Sequence, residues 1–127
     1  MGVTMNVQLL QSTDELNEAR ANIFGALSDP TRLRVLQALL EAEGPLTVTE
    51  LCERTDCETN LVSHHLQCLK SCQLVDAEKD GRERYYEVST HEAAEMVELA
   101  DDRIRRNVER VLGCEIVETT GETSTTT

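Results

Sequence analysis

The chain of 127 residues contains no tryptophan, and its only aromatic residues are Phe24, Tyr85 and Tyr86. A core without large rings must be built mainly from leucine, valine, isoleucine and alanine. No apolar run approaches the roughly 20 residues that a membrane-spanning helix needs. The first ten residues, MGVTMNVQLL, lack the basic start and the long apolar stretch of a secretory signal. These absences predict a single cytoplasmic domain that makes no membrane contact.

Basic residues are also scarce, because 12 Lys and Arg face 24 Asp and Glu, for a formal net charge of -12. Such acidity opposes binding to nucleic acid, and it is also typical of proteins from a high-salt cytoplasm. The charge is unevenly distributed. From Thr59 to Tyr86 the acidic and basic residues are equal in number, and from Thr59 to Val75 the only charged residue is Lys70. This segment therefore keeps nucleic acid among the candidate partners.

The five cysteines are an odd number, which does not suit a complete disulfide framework. In a reducing compartment, free or metal-bound thiols are expected instead. The chain also lacks a glycine-rich phosphate loop and a convincing set of nucleophile, base and orienting residue. We therefore predict no enzymatic activity.

Capping signals predict the start of three helices. They are Ser12 with Glu15, Asp29 before Pro30, and Thr47 with Glu50. A fourth helix is predicted from about Thr59 to Cys72. Two strands follow, at Leu74 to Glu78 and at Arg84 to Val88, joined by a hairpin turn over Lys79 to Arg82 that contains Asp-Gly.

A long last helix is predicted to begin near Thr90. Apolar residues recur every three or four positions along it, at Ala93, Val97, Ala100, Ile104, Val108 and Val111. A narrow apolar stripe on a highly charged helix suits a partner helix, so we interpret it as a dimerisation element. The alternative is that the stripe packs only against its own domain.

This order of elements predicts a mainly α fold with a small β-hairpin, which is a winged helix-turn-helix dimerised through its terminal helices. The domain is expected to span residues 12–114. Residues 1–11 would form a mobile arm, and the acidic, threonine-rich residues 115–127 a disordered tail.

The fourth helix divides into faces at about 100° per residue. Val62, Leu66 and Leu69 form its core side, whereas the opposite face is polar and uncharged. Solvated helix faces usually carry Lys and Glu, so this face favours hydrogen bonding to base edges in a DNA major groove over ordinary solvent exposure. The predicted DNA-contacting residues belong to this face and to its first turn, together with Lys70 and the two wing arginines. They are Thr59, Asn60, Ser63, His64, Gln67, Lys70, Arg82 and Arg84.

The thiols have two interpretations. A free cysteine often behaves as a small hydrophobic residue, and we expect this of Cys52 and Cys57. Cys68 and Cys72 instead lie one turn apart, between the core side and the DNA side of the fourth helix, and two thiolates at this spacing can hold one soft metal ion. The remaining Cys114 would supply a third ligand, in cis or from the partner protomer. His65 is expected to be a core residue rather than a spare ligand.

Three stretches resemble the ArsR/SmtB family of metal-responsive repressors. They are DPTRLRVL at the start of the second helix, SHHL in the fourth helix and GRERYYEV in the wing. The resemblance covers roughly Phe24 to Val88. It implies a homodimer that binds operator DNA in the metal-free state and releases it when metal is bound.

Two of the family's metal sites are missing from this sequence. Thr47 and Thr49 replace the C-x-C pair of many arsenic and cadmium sensors, and Arg103 and Arg106 occupy ligand positions of the zinc sensors. The stretch CLKSCQLV is instead similar to the CmtR-type cadmium/lead sensors. This implies a site formed by Cys68, Cys72 and Cys114 for Cd(II) or Pb(II), with Hg(II) or As(III) as other candidate inducers.

Two alternatives remain at this point. One is a repressor of the same fold that responds to oxidation or persulfidation of its thiols. The other is a soluble thiol protein that buffers metal without any role on DNA.

Overall fold

The computed structural model describes residues 12–113. The predicted N-terminal arm, the predicted tail and Cys114 lie outside the described residues. The described part falls into two compact units, one ending at Thr90 and the other beginning at His91. Within residues 12–113, no helix is both long enough and apolar enough to cross a membrane.

The first unit contains four helices, of which the first three begin where the capping signals predict. They are α1 (Thr13–Ala26), α2 (Pro30–Glu41), α3 (Val48–Thr55) and α4 (Thr59–Ser71). The Ser12 side chain accepts from the amide of Glu15, and Asp29 accepts from the amides of Thr31 and Arg32. Thr47 and Glu50 form the complete predicted capping box. These side chains satisfy amides that would otherwise lack an acceptor, which fixes where α1, α2 and α3 begin.

A three-stranded antiparallel sheet completes the first unit, with strand order β1-β3-β2. Strands β2 (Val75–Asp80) and β3 (Glu83–Val88) form the predicted hairpin, the wing, whereas β1 (Leu46–Thr47) was not predicted. The turn lies one residue later than expected, because Asp80 pairs with Glu83. Gly81 is therefore the first central residue of a two-residue turn, and its φ of 72° suits glycine there.

The core of the first unit is aliphatic, as the absence of large rings predicts. Seven side chains in it are fully buried: Val35, Leu36, Leu51, Val62, Leu66, Leu69 and Val75. Three of them come from α4, which is therefore anchored along one side.

The second unit contains α5 (Glu92–Arg106) and α6 (Val108–Gly113). The prediction of one long helix is therefore wrong, because the backbone leaves helical geometry at Asn107, with φ −157° and ψ 73°. Part of the predicted apolar stripe is exposed in the single chain, including Ile104, Val108 and Val111 at 38%, 45% and 38%.

Candidate nucleic-acid interface and metal centre

Helix α4 has the division into faces that its sequence predicts. Val62, Leu66 and Leu69 are fully buried. On the other side Asn60, His64 and Gln67 are exposed, while Ser63 is half-buried and Thr59 and Lys70 are exposed beside them. The anchored core side leaves a polar surface open to solvent, as an element that enters a groove must have.

The start of α4 differs from those of α1, α2 and α3. Glu58 precedes the helix, and its side chain makes no capping hydrogen bond. The first amide groups of α4 are thus left without a side-chain acceptor, and such amides are suited to binding an anionic group such as a phosphate. Arg82 and Arg84 of the wing are exposed cations.

The two thiols of α4 lie between the buried and the polar faces, and both are half-buried. The Sγ of Cys68 lies 3.8 Å from Nε2 of His64, a predicted DNA-contacting residue. Cys72 is the C-cap, and its amide still donates to the carbonyl of Cys68 at 3.3 Å, so the one-turn spacing persists to the helix end. The thiol of Cys72 donates to the carbonyl oxygen of Asn22 in α1 at 3.6 Å.

Cys68 and Cys72 thus offer two soft donors one turn apart with access to solvent, which fits a thiophilic ion. The third predicted ligand, Cys114, lies outside the described residues. Within residues 12–113, no group of three or more His, Cys, Asp or Glu side chains is arranged to hold a metal ion. The described part of the chain therefore provides two of the three predicted ligands.

A polar cluster that the sequence did not predict joins α4 to α1 and α2. Arg32 donates through Nε to Nδ1 of His65 at 3.3 Å, and through Nη1 to the carbonyls of Gly25 and Ala26 at 3.2 and 3.3 Å. His65 is 3% exposed, which confirms the prediction that it is a core residue. The pKa of His65 is lowered, mainly because burial disfavours its charged form, although Asp29 opposes this shift. The only part of this cluster that the sequence indicated was the Asp29 cap in the DPTR stretch. The contact between Arg32 and His65 had no sequence signal.

Cys52 and Cys57 lie close to the N-terminal end of α4. Both are half-buried. The Sγ of Cys52 contacts Oγ1 of Thr59 at 3.8 Å, and Arg34 donates through Nη2 to the Sγ of Cys57 at 3.4 Å. Cys57 therefore lies in the turn that joins α3 to the predicted recognition helix, and Cys52 lies in the last turn of α3.

Comparison with known proteins agrees with this architecture. Residues 29–77 match the family model described as "Bacterial regulatory protein, arsR family". The HTH-type transcriptional regulator CmtR of Mycobacterium tuberculosis is 40% identical over 89 residues, covering 68% of this chain and 74% of the relative. This chain belongs to the ArsR family.

Two further relatives carry metals in their names. A probable mercury resistance operon repressor of Streptomyces lividans is 40% identical over 83 residues, which cover 65% of each chain. The cadmium resistance transcriptional regulatory protein CadC of Listeria innocua is 30% identical over 110 residues, covering 75% of this chain and 92% of the relative.

A solved structure supports the fold. The homodimeric winged helix-turn-helix DNA-binding domain of a possible ArsR-family regulator from Mycobacterium bovis matches with a TM-score of 0.67 at 28% identity. The match covers 79% of this chain and 93% of that one. The chain is thus a winged helix-turn-helix transcriptional regulator rather than an enzyme.

Proposed function

We propose that this ArsR-family regulator is a homodimeric, cytoplasmic repressor of metal-responsive genes. It binds operator DNA when metal-free and releases it when a thiophilic ion is held by Cys68, Cys72 and Cys114. The observation that carries this proposal is the position of Cys68 and Cys72 on the predicted recognition helix, with the sulfur of Cys68 next to His64. A ligand pair in that place acts directly on the surface that meets DNA.

The proposed DNA contacts are of two kinds, to base edges and to phosphates. The exposed amide, hydroxyl and imidazole groups of Asn60, His64 and Gln67 can donate to and accept from base edges. Arg82, Arg84 and the free amides at the start of α4 bind phosphates, which fixes register rather than sequence. In a homodimer, two copies of α4 enter major grooves about 34 Å apart on a palindromic site.

The ligand set favours soft ions. Thiolate sulfur selects Cd(II), Pb(II), Hg(II) or As(III) over Mg(II) or Ca(II). The relatives named for mercury and cadmium resistance support this class of inducer. The ion, when bound, supplies bonds that hold the sulfurs together.

The contacts of the two thiols explain how metal binding would lower the affinity for DNA. Both thiols must give up their protons to ligate. Cys72 then no longer donates to Asn22, so the contact between α1 and the end of α4 is lost. Ligation by Cys68 would also compete with the contact between its sulfur and His64, a residue of the polar face of α4. By linkage, DNA lowers the affinity for metal by the same factor by which metal lowers the affinity for DNA. A coupling free energy of about 3 kcal/mol would correspond to a decrease in affinity of roughly 150-fold.

The experiment is a titration of the dimer with Cd(II), following thiolate-to-metal absorption in the ultraviolet together with release of operator DNA. We expect Cys68→Ser and Cys114→Ser each to reduce both signals. Cys57→Ser is the matched control and keeps the wild-type metal stoichiometry. An unchanged titration for Cys114→Ser would disprove the three-thiolate site, and an unchanged titration for Cys68→Ser would disprove metal sensing by α4.

A further inference from the structure

The C-terminal turn of α3 has a backbone motif that includes two cysteines. Asp56 ends the helix in the left-handed conformation, with φ 58°. The carbonyl of Cys52 accepts from the amides of Asp56 at 2.8 Å and of Cys57 at 3.3 Å. The second bond, from a residue five positions later, belongs to a helix-ending motif in which the two residues that it joins commonly make a side-chain contact.

The same motif ends α4 and shows what usually fills these positions. Gln73 has φ 60°, and the amide of Leu74 donates to the carbonyl of Leu69 at 2.9 Å. Leu69 and Leu74 are both buried, which is the usual apolar pair of this motif. At the end of α3 the corresponding residues are Cys52 and Cys57, and both are free, half-buried thiols.

We propose that Cys52 and Cys57 are a redox-active dithiol that a hydroperoxide converts into a disulfide across the C-terminal turn of α3. One thiolate attacks the peroxide, whose O–O bond breaks, so that the sulfur becomes a sulfenic acid and an alcohol or water leaves. The second thiol then attacks that sulfur, an S–S bond forms, and water leaves. Two electrons pass from the two sulfurs to the peroxide, and no other reactant is needed.

The surroundings of the pair favour Cys57 as the attacking residue. The guanidinium of Arg34 donates to its Sγ at 3.4 Å, and the thiol itself donates to the carbonyl of Thr55 at 3.4 Å. A cation therefore lies beside this sulfur, whereas the sulfur of Cys52 contacts the neutral hydroxyl of Thr59. Cys52 would be the resolving residue. Cys68 and Cys72 are less suited to this reaction, because both belong to one hydrogen-bonded helical turn whose spacing a disulfide would distort.

The pair lies where a disulfide would affect the recognition helix. Cys57 is two residues before Thr59, the first residue of α4, and the sulfur of Cys52 contacts the hydroxyl of Thr59. Forming the S–S bond draws that sulfur towards Cys57 and removes this contact. The dithiol is thus a second site of thiol chemistry at the opposite end of α4 from Cys72.

The test uses the full chain with Cys68→Ser, Cys72→Ser and Cys114→Ser, which removes the proposed metal ligands and keeps the dithiol. The protein is treated with hydrogen peroxide, alkylated and cleaved with trypsin without reduction. Cys52 lies in the peptide of residues 35–54 and Cys57 in that of residues 55–70. We expect these two peptides to be joined, with a mass two hydrogen atoms below their sum.

Two further variants make the result decisive. In the same background, Cys52→Ser must abolish the joined peptide. Arg34→Gln removes one cleavage site, so its Cys52 peptide spans residues 33–54, and it must slow the formation of the joined peptide. Recovery of both cysteines in alkylated form after peroxide treatment, or their oxidation to sulfinic acid without joining, would overturn the proposal. Should the triple variant not fold, Cys68→Ser alone still leaves Cys57 as the only cysteine of the second peptide.

Discussion

At the scale of single residues, His65 is a buried polar group that connects α4 to α1 and α2 through Arg32. Its Nδ1 accepts from Arg32, whose other donors hold the last carbonyls of α1. Only the neutral imidazole can accept in this way, since a protonated ring would present a donor to a cation. Burial, together with the charges of Arg32 and His64, lowers the pKa of His65, whereas Asp29 raises it.

The lowered pKa of His65 predicts a loss of stability in acid. Unfolded His65 takes up a proton near its ordinary pKa of about 6.5, whereas the folded protein resists protonation. As pH falls through that value, the unfolded state is favoured and the free energy of unfolding decreases, until the lower folded pKa is passed. Urea denaturation between neutral and mildly acidic pH should therefore show a steeper loss for the wild type than for His65→Asn, which keeps an acceptor but does not titrate.

The control for that experiment is His64→Asn, which changes an exposed histidine of the same helix and leaves His65 in place. His64 is the smallest of the contributions that lower the pKa of His65, so this variant should keep most of the wild-type dependence on pH. Parallel curves for the wild type and His65→Asn would contradict a role for the buried imidazole.

At the scale of the element, α4 packs against the core through one face only. Substitutions of two leucines test this, because one is buried and the other is exposed. Leu66 is fully buried, whereas Leu61 is 40% exposed on the same helix. Leu66→Ala should lower the free energy of unfolding by about 3 kcal/mol, since it removes core contacts and leaves a cavity. Leu61→Ala should cost less than about 1 kcal/mol, because its side chain already meets solvent. Similar losses from both substitutions, in denaturant titrations, would be incompatible with the buried and exposed faces described above.

The elements that could be predicted from sequence are those with local causes. The starts of α2 and α3 depend on the side chains of Asp29 and Thr47, and the faces of α4 depend on helical periodicity. Strand β1 has only two residues and exists because Leu46 and Thr47 pair with Tyr86 and Tyr85 of β3, which no local pattern indicates.

Other features escaped prediction for similar reasons. The break at Asn107 interrupts an apolar period that continues on both sides of it, so the pattern alone predicted one helix. The contact of Cys72 with Asn22 joins residues 50 positions apart, and that of Arg32 with His65 joins residues 33 apart. The exposed face of α4 and the one-turn spacing of Cys68 and Cys72 were therefore predictable, but the contacts that connect these residues to the rest of the domain were not.

At the scale of the whole molecule, the net charge of -12 must be reconciled with binding to a polyanion. Helix α4 carries no acidic residue, and the wing has two exposed arginines. Arg84 should therefore make a phosphate contact, and each such contact contributes about 0.9 to the slope of log affinity against log salt concentration. A homodimer makes every contact twice.

Arg84→Ala should accordingly make the salt slope of operator binding shallower by about 1.8 for a dimer, or by about 0.9 if one protomer alone binds. The matched control is Arg103→Ala in α5, which removes an exposed arginine and changes the net charge equally, but lies outside the predicted DNA surface. Fluorescence anisotropy with labelled operator over a series of salt concentrations measures both slopes. If Arg103→Ala reduced the slope as much as Arg84→Ala, overall charge rather than a wing contact would govern binding; if neither did, the wing would not touch phosphate.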